Sequence, residues 1–179
     1  MKKVVYLFAA VVLFAGLSLN AQSKLSFNAG ANAALPMGSF ADVAGFGFGA
    51  SVGAEMPVAD KITGTASVGY LMFGEKELGG TGFSAKSSFS AIPILVGSKY
   101  AFNDNFYGAA EVGFHLFSGT VKSEITLFGS TTSAEATEST TDFTVGVGAG
   151  YMFGKLDVSA KYYLISDANY LGVRVAYHF

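Results

Sequence analysis

The chain has no cysteine, only two histidines and three prolines, and just 13% of its 179 residues are charged. Without cysteine there are no disulfide staples and no thiolate metal sites. Soluble domains carry about 25% charged residues, so this surface is poorly supplied for water. After residue 21 no stretch approaches the ~20 apolar residues of a membrane helix. Any crossing of a bilayer by the rest of the chain must therefore use strands. No basic patch is present either, which excludes nucleic acid as a partner.

What is abundant is apolar: 51% hydrophobic residues, 15% aromatic, and 23 glycines. The first 21 residues have the three parts of a secretory signal peptide. Lys2 and Lys3 form the positive start, Val4 to Leu19 the apolar middle, and Asn20-Ala21-Gln22 the cleavage region, with the cut expected after Ala21. Leu19, three positions before that cut, is larger than ideal, and no cysteine follows to accept a lipoprotein anchor. The mature domain is then 22–179, with nine basic and thirteen acidic residues once Lys2 and Lys3 are gone.

The mature chain runs on a two-residue rhythm. Phe46, Phe48, Ala50, Val52, Ala54, Met56 and Val58 alternate with Gly45, Gly47, Gly49, Ser51, Gly53, Glu55 and Pro57. Such alternation marks a strand with two unlike faces. Here the less apolar face is small rather than charged, which suits the inside of a narrow barrel whose outside meets lipid. Eight segments share the pattern: Leu25–Leu35, Gly45–Val58, Ile62–Phe73, Ser88–Phe102, Phe106–Ser118, Asp142–Phe153, Leu156–Ile165 and Tyr170–Phe179. Tight turns at Ala59-Asp60-Lys61, Asn103-Asp104-Asn105 and Gly154-Lys155 alternate with longer links at Pro36–Ala44, Gly74–Ser87, Gly119–Thr141 and a short one at Ser166–Asn169. Short turns at one end and longer loops at the other are the layout of an outer-membrane barrel. The expected fold is all-β, an eight-stranded antiparallel up-and-down transmembrane β-barrel. Pro93 cannot donate to a ladder, and a bulge or the end of regular pairing near the outer rim is expected there.

Charge placement supports the orientation. Six charged residues lie within strands, Glu55, Lys99, Glu111, Asp157, Lys161 and Arg174, and all six fall on the polar phase. Six charges and many glycines are too few to solubilise a wall facing water. Each lies close to a tight turn or terminus, so one layer of ion pairs in the periplasmic half of the lumen is expected. An eight-stranded barrel is just wide enough for side chains to fill, which makes this layer a plug rather than a conduit. Gly146, Gly148 and Gly150 would make room beside Lys161 and Tyr163. Tyr100, Phe102, Phe106, Tyr151, Phe153, Tyr177 and Phe179 would form one interfacial girdle, with Phe46, Tyr70 and Phe114 nearer the other.

No catalytic constellation emerges. His115 and His178 both fall on the inward phase, and Glu111, four residues before His115, would lie roughly 13 Å away along the strand. Gly146-Val147-Gly148-Ala149-Gly150 lacks the Lys-Ser/Thr of a phosphate loop. An enzyme of outer-leaflet lipid would need a lipid-facing histidine. No metal or cofactor is expected. In the third long link the alternation resumes from Val121 to Leu127 on the odd phase, so Gly119 is expected to be a bulge. A hairpin turning near Gly129-Ser130 should project from the membrane, its Gly119–Thr141 segment offering a strand edge to an extracellular protein partner. The expected external segments carry eight acids, Asp42, Glu75, Glu77, Glu124, Glu135, Glu138, Asp142 and Asp167, against Lys76, Lys86 and Lys122.

The signal peptide end Asn20-Ala21-Gln22, the run Ala91-Ile92-Pro93-Ile94-Leu95 leading to Lys99-Tyr100-Ala101-Phe102, the turn Asn103-Asp104-Asn105-Phe106-Tyr107 and the ending Leu171 to Phe179 resemble the small outer membrane protein beta-barrel domain family. These porin-family proteins are common in Gram-negative, Bacteroidetes-like bacteria and similar in architecture to OmpA/OmpX-type barrels. The resemblance covers the whole mature chain and is more specific for fold than for activity. It implies location in the outer membrane, among its lipid and lipopolysaccharide. It also implies that Phe179 is the terminal aromatic read by the barrel-assembly machinery. It supplies no catalytic residues. Unlike OmpA itself, the chain is expected to end at the barrel, without a peptidoglycan-binding domain. The expected function is a non-enzymatic, monomeric structural or surface-interaction barrel. A narrow porin and a soluble lipocalin-like carrier are the alternatives.

Overall fold

The alternating segments form eight antiparallel strands: β1 (Ser26–Pro36), β2 (Gly47–Ala59), β3 (Ile62–Gly80), β4 (Phe83–Ala101), β5 (Phe106–Leu127), β6 (Ser130–Phe153), β7 (Leu156–Ile165) and β8 (Tyr170–His178). Each pairs with its neighbours in sequence, and β1 pairs with β8 to close the barrel. The computed structural model describes the backbone of residues 25–80, 83–127 and 130–179, with side chains outside 77–86 and 121–135. The expected signal peptide, residues 1–21, lies outside the described residues.

The apolar phase faces out on every strand of the wall. Phe27, Phe48, Val52, Val68, Ile94, Val112, Val147, Leu164 and Val175 are all exposed, whereas the six strand-borne charges face the lumen and are half-buried or buried. Among the described residues no charged side chain interrupts the outward face of the wall. A lipocalin-like carrier requires the reverse, an apolar inside and a polar outside, so that alternative falls. Aromatic contacts mark both rims of the apolar band: Tyr100–Phe102, Phe102–Phe106, Tyr151–Phe153 and Tyr177–Phe179 at the turn end, and Phe114–Phe143 towards the other.

At the turn end, local chemistry fixes the reversals. Gly154 adopts φ +63°, the left-handed conformation a two-residue turn demands. The Asn103 side chain accepts from the backbone N–H groups of Asn105 and Phe106 at 3.0 and 2.7 Å. The start of β1 and the end of β8 lie at this end, which by the architecture of such barrels is periplasmic.

The opposite end departs from the sequence reading in four places. First, Gly74–Ser87 is not a loop. After a register shift between Phe73 and Lys76, β3 and β4 stay paired to Gly80 and Phe83. Glycine-rich sequence hides this pairing, which β5 supports from the far side of β4. Second, Gly119 is not a bulge: the ladders to β4 and β6 pass through it unshifted. A side chain there would strike the Phe89 ring, with Cβ 2.9 Å from its nearest atom, so this glycine makes room for an aromatic. The change of apolar phase after Ser118 is therefore a change in which face is apolar, with the register intact. Third, Pro93 ends nothing. It faces inward and interrupts contact with β3 only locally, and the same register resumes on both sides of it. Fourth, the Pro36–Ala44 link contains a one-turn helix, α1 (Phe40–Val43).

The extended strands make a four-stranded sheet, β3-β4-β5-β6, that continues past the barrel mouth. β7 leaves β6 at Thr144, and β3 keeps a partner up to Gly74, which exchanges backbone hydrogen bonds with Gly45 and Phe46; above those points no strand among the described residues pairs with the outer edges of this sheet.

Candidate functional site: the lumen

Because alternate residues of a strand share one face, the polar phases of all eight strands converge on the barrel axis. Near the turn end Lys99 of β4 reaches across to β2 and β7. Its Nζ donates to Glu55 Oε1 at 2.7 Å and to Asp157 Oδ2 at 2.6 Å. The Tyr107 hydroxyl donates to the other Asp157 oxygen at 2.6 Å, and its ring lies 4.5 Å beneath the lysine ammonium. Asn28 Nδ2 donates to the same Glu55 Oε1 at 3.0 Å. The carboxylates thus hold charge-assisted hydrogen bonds, the condition for a buried ion pair to be tolerated.

Further up the lumen Lys161 of β7 donates to Glu111 Oε2 at 2.7 Å, and the Tyr163 hydroxyl to Glu111 Oε1 at 2.6 Å. Gly146 admits this pair, since a Cβ there would lie 2.8 Å from the Tyr163 ring and 2.9 Å from Glu111 Cγ. Gly150 lies against the Tyr107 hydroxyl instead. Glu111 stands four residues along β5 from Tyr107, roughly 13 Å of strand. The charges therefore occupy two tiers, not the single layer expected.

Arg174 also departs from expectation. It makes no ion pair among the described residues: its Nε donates to Ser51 Oγ at 2.8 Å and its Nη2 to Asn28 Oδ1 at 2.6 Å. Its charge reaches Glu55 only through the Asn28 amide. The polar phase predicted that Arg174 points inward, but not which groups lie within reach of it.

His178 Nε2 lies 3.8 Å from Glu55 Oε1 and 3.6 Å from Asp157 Oδ2, and no hydrogen bond reaches it. Glu55, Asp157 and His178 place ligand-type atoms within 4.8 Å of one another, a donor set that suits a divalent ion. Lys99 already bonds both carboxylates, however, and a divalent ion there would meet its ammonium at close range. The cation of this cluster is the lysine.

Above the charges the lumen turns apolar. α1 sets Phe40 into the mouth of the barrel, edge-on to Phe73, Phe89 and Phe117 at centroid distances of 5.0, 5.8 and 6.1 Å. Leu71, Ala91, Ile165 and Tyr170 pack into the same cluster. Two strands hold the helix by its carbonyls: Lys76 Nζ bonds Ala41 O, and Ser87 Oγ donates to Val43 O at 2.7 Å. Sequence reasoning missed this stopper. A one-turn helix is too short to show a period, and its only start signal is Ser39 before Phe40.

His115 belongs to the underside of the stopper. It is fully buried, stacks on Phe117 and bonds the Tyr170 hydroxyl through Nε2 at 2.8 Å. Glu111 is occupied by Lys161 and Tyr163, so the two form no acid–base pair. A cavity of about 60 Å³ remains beside these groups, running from Leu71 and Tyr170 under the stopper down to Glu55, Lys99 and Asp157, room for a few waters.

Residues 6–179 match the family described as Outer membrane protein beta-barrel domain. The barrel is similar to that of Ail, the attachment invasion locus protein of Yersinia pestis, with TM-score 0.55 and 14% identity over 89% of this chain and 100% of that one. It also aligns with the N-terminal β-barrel domain of Pseudomonas aeruginosa OprF, with TM-score 0.48 and 14% identity over 88% and 100%. A major outer membrane protein from Thermus thermophilus gives 0.49 and 16% over 87% and 99%. At these identities the likeness is one of fold. No curated protein matches the sequence.

Proposed function

We propose that this chain, which belongs to the outer membrane protein beta-barrel domain family and resides in the outer membrane, is a non-conducting and non-enzymatic surface-interaction barrel. The observation that carries the reading is the doubly filled lumen. The Phe40 cluster stops the outer mouth, and Lys99 with Glu55 and Asp157 ties the wall together across the inner end. A barrel filled in this way serves as a rigid stake for what it displays. Its display is the β3–β6 sheet, whose β6 edge from Ser130 to Phe143 has no further strand beside it among the described residues. An unpaired edge offers backbone donors and acceptors for strand addition. β5 lies between β4 and β6, so the edge of the Gly119–Thr141 segment open to a protein partner is that of β6. Ail, an attachment protein by its name, shares the architecture.

Non-enzymatic action is supported by the inward placement of both His115 and His178, away from lipid. The apolar wall suits outer-membrane lipid and lipopolysaccharide as its surroundings. Phe179, 73% exposed beyond the end of β8, suits recognition by the barrel-assembly machinery. Residues 1–21 serve as the signal peptide that delivers a monomeric 22–179 domain.

Planar-bilayer recording of the purified, refolded protein is the test. Electrically silent insertion is expected, and steady conductance steps would replace this reading by the narrow porin. Mass spectrometry of lipid A from cells with and without the protein is expected to match. A modified species that depends on the protein would restore the enzyme reading.

A further inference from the structure

A barrel made from one chain has a single strand junction that no turn joins, here β1 against β8. The other ladders can zip up from a covalent connection, whereas this one must gather strands from opposite ends of the chain, and the loop-closure cost falls on it. The nine residue pairs from Asn28–His178 to Pro36–Tyr170 lie flush. A Cβ at Gly30 would come within 2.6 Å of Val175 O and 2.7 Å of Ala176 Cβ.

We infer that Arg174 is the clasp of this junction, a residue whose task is to lock β8 onto the β1–β2 hairpin from inside the lumen. Lys99 ties β4 to β2 and β7, and Lys161 ties β7 to β5, both through carboxylates and neither touching β1 or β8. Arg174 instead stands on β8 opposite Asn32 and reaches past Gly30 to Asn28 on β1 and across to Ser51 on β2. These bonds span 146 and 123 positions of sequence, so they form only on closure. The acceptors are set in advance by the hairpin itself: Asn32 Nδ2 donates to Ser51 Oγ at 3.0 Å, and Asn28 Nδ2 to Glu55 Oε1 at 3.0 Å. A guanidinium supplies separate donors from one rigid plane, so a single side chain engages both strands. Neutral acceptors explain why Arg174 alone of the lumen cations has no carboxylate.

The native chain has no cysteine, so an engineered pair reports on one junction alone. Ala31→Cys with Val175→Cys reads the β1–β8 junction, and Val112→Cys with Val145→Cys reads the β5–β6 ladder; each pair is in register on the outer face. In protein refolded into detergent, Arg174→Met is expected to slow disulfide formation at the β1–β8 pair by about tenfold or more, since it removes two hydrogen bonds from a charged group. The β5–β6 pair should be unaffected. Equal rates at both pairs, or an equal fall at both, would overturn the clasp. Should Arg174→Met fail to reach the folded gel band, the β1–β8 pair closed by oxidation is expected to restore that band and the oxidised β5–β6 pair is not. Rescue by both, or by neither, would overturn it as well.

Discussion

Asp157 is 1% exposed, yet it is an acid, paired with a lysine that it shares with Glu55. Its tolerance depends on Lys99 and Tyr107 holding one oxygen each, and Lys99 is the residue that cannot be spared. Lys99→Met leaves two acids facing each other across the lumen with no cation between them, and is expected to destabilise by about 3–5 kcal/mol. The urea midpoint of the folded gel band checks this, since the chain has no tryptophan to report by fluorescence. Which residues enter the lumen was legible in the sequence, because parity in a strand decides face. Which of them meet was not, because that depends on side-chain reach across the barrel. Lys99 bonds carboxylates on β2 and β7, and Arg174 bonds none.

The strands of the wall were legible for the same reason, since ten or more residues of unbroken alternation leave no other reading. The hairpin extensions were harder. Gly79 and Gly80 look like a loop, and the Ser/Thr-rich stretch after Ser130 has little apolar contrast, so periodicity fades where backbone pairing does not. Above the rim one sheet edge meets water and nothing there needs closing, so the ends of β5 and β6 should be dispensable for folding. Joining Thr120 to Thr137, partners in register, through a two-residue Asn-Gly turn is expected to leave the heat-dependent gel shift intact. The same deletion should abolish capture of any partner that binds by strand addition, as read by pull-down on whole cells. Loss of the gel shift would show that the extensions support the wall.

For the molecule as a whole, the outward face decides the solvent. Val147 lies mid-strand on the apolar face, half exposed. Val147→Lys is expected to cost about 2–4 kcal/mol in a bilayer, measured by urea unfolding in lipid vesicles. Gly148, next to it, faces the lumen over the backbone of Ala160 and Lys161. Val147→Thr should be far milder, which separates the cost of charge from the cost of altered shape.

The β3–β6 sheet rises on one side of the rim only, while β1, β2, β7 and β8 stop near the mouth. At about 3.3 Å per residue, the ten residues from Ser130 to Ser139 add on the order of 30 Å of height to one half of the molecule. The protein thus stands in its leaflet like a chair rather than a stool. A visitor approaching along the surface meets a tall back from one direction and, from the other, a low seat floored by Phe40. A partner that adds a strand to the β6 edge would dock on the tall back, above the lipid and away from the charges paired inside the barrel.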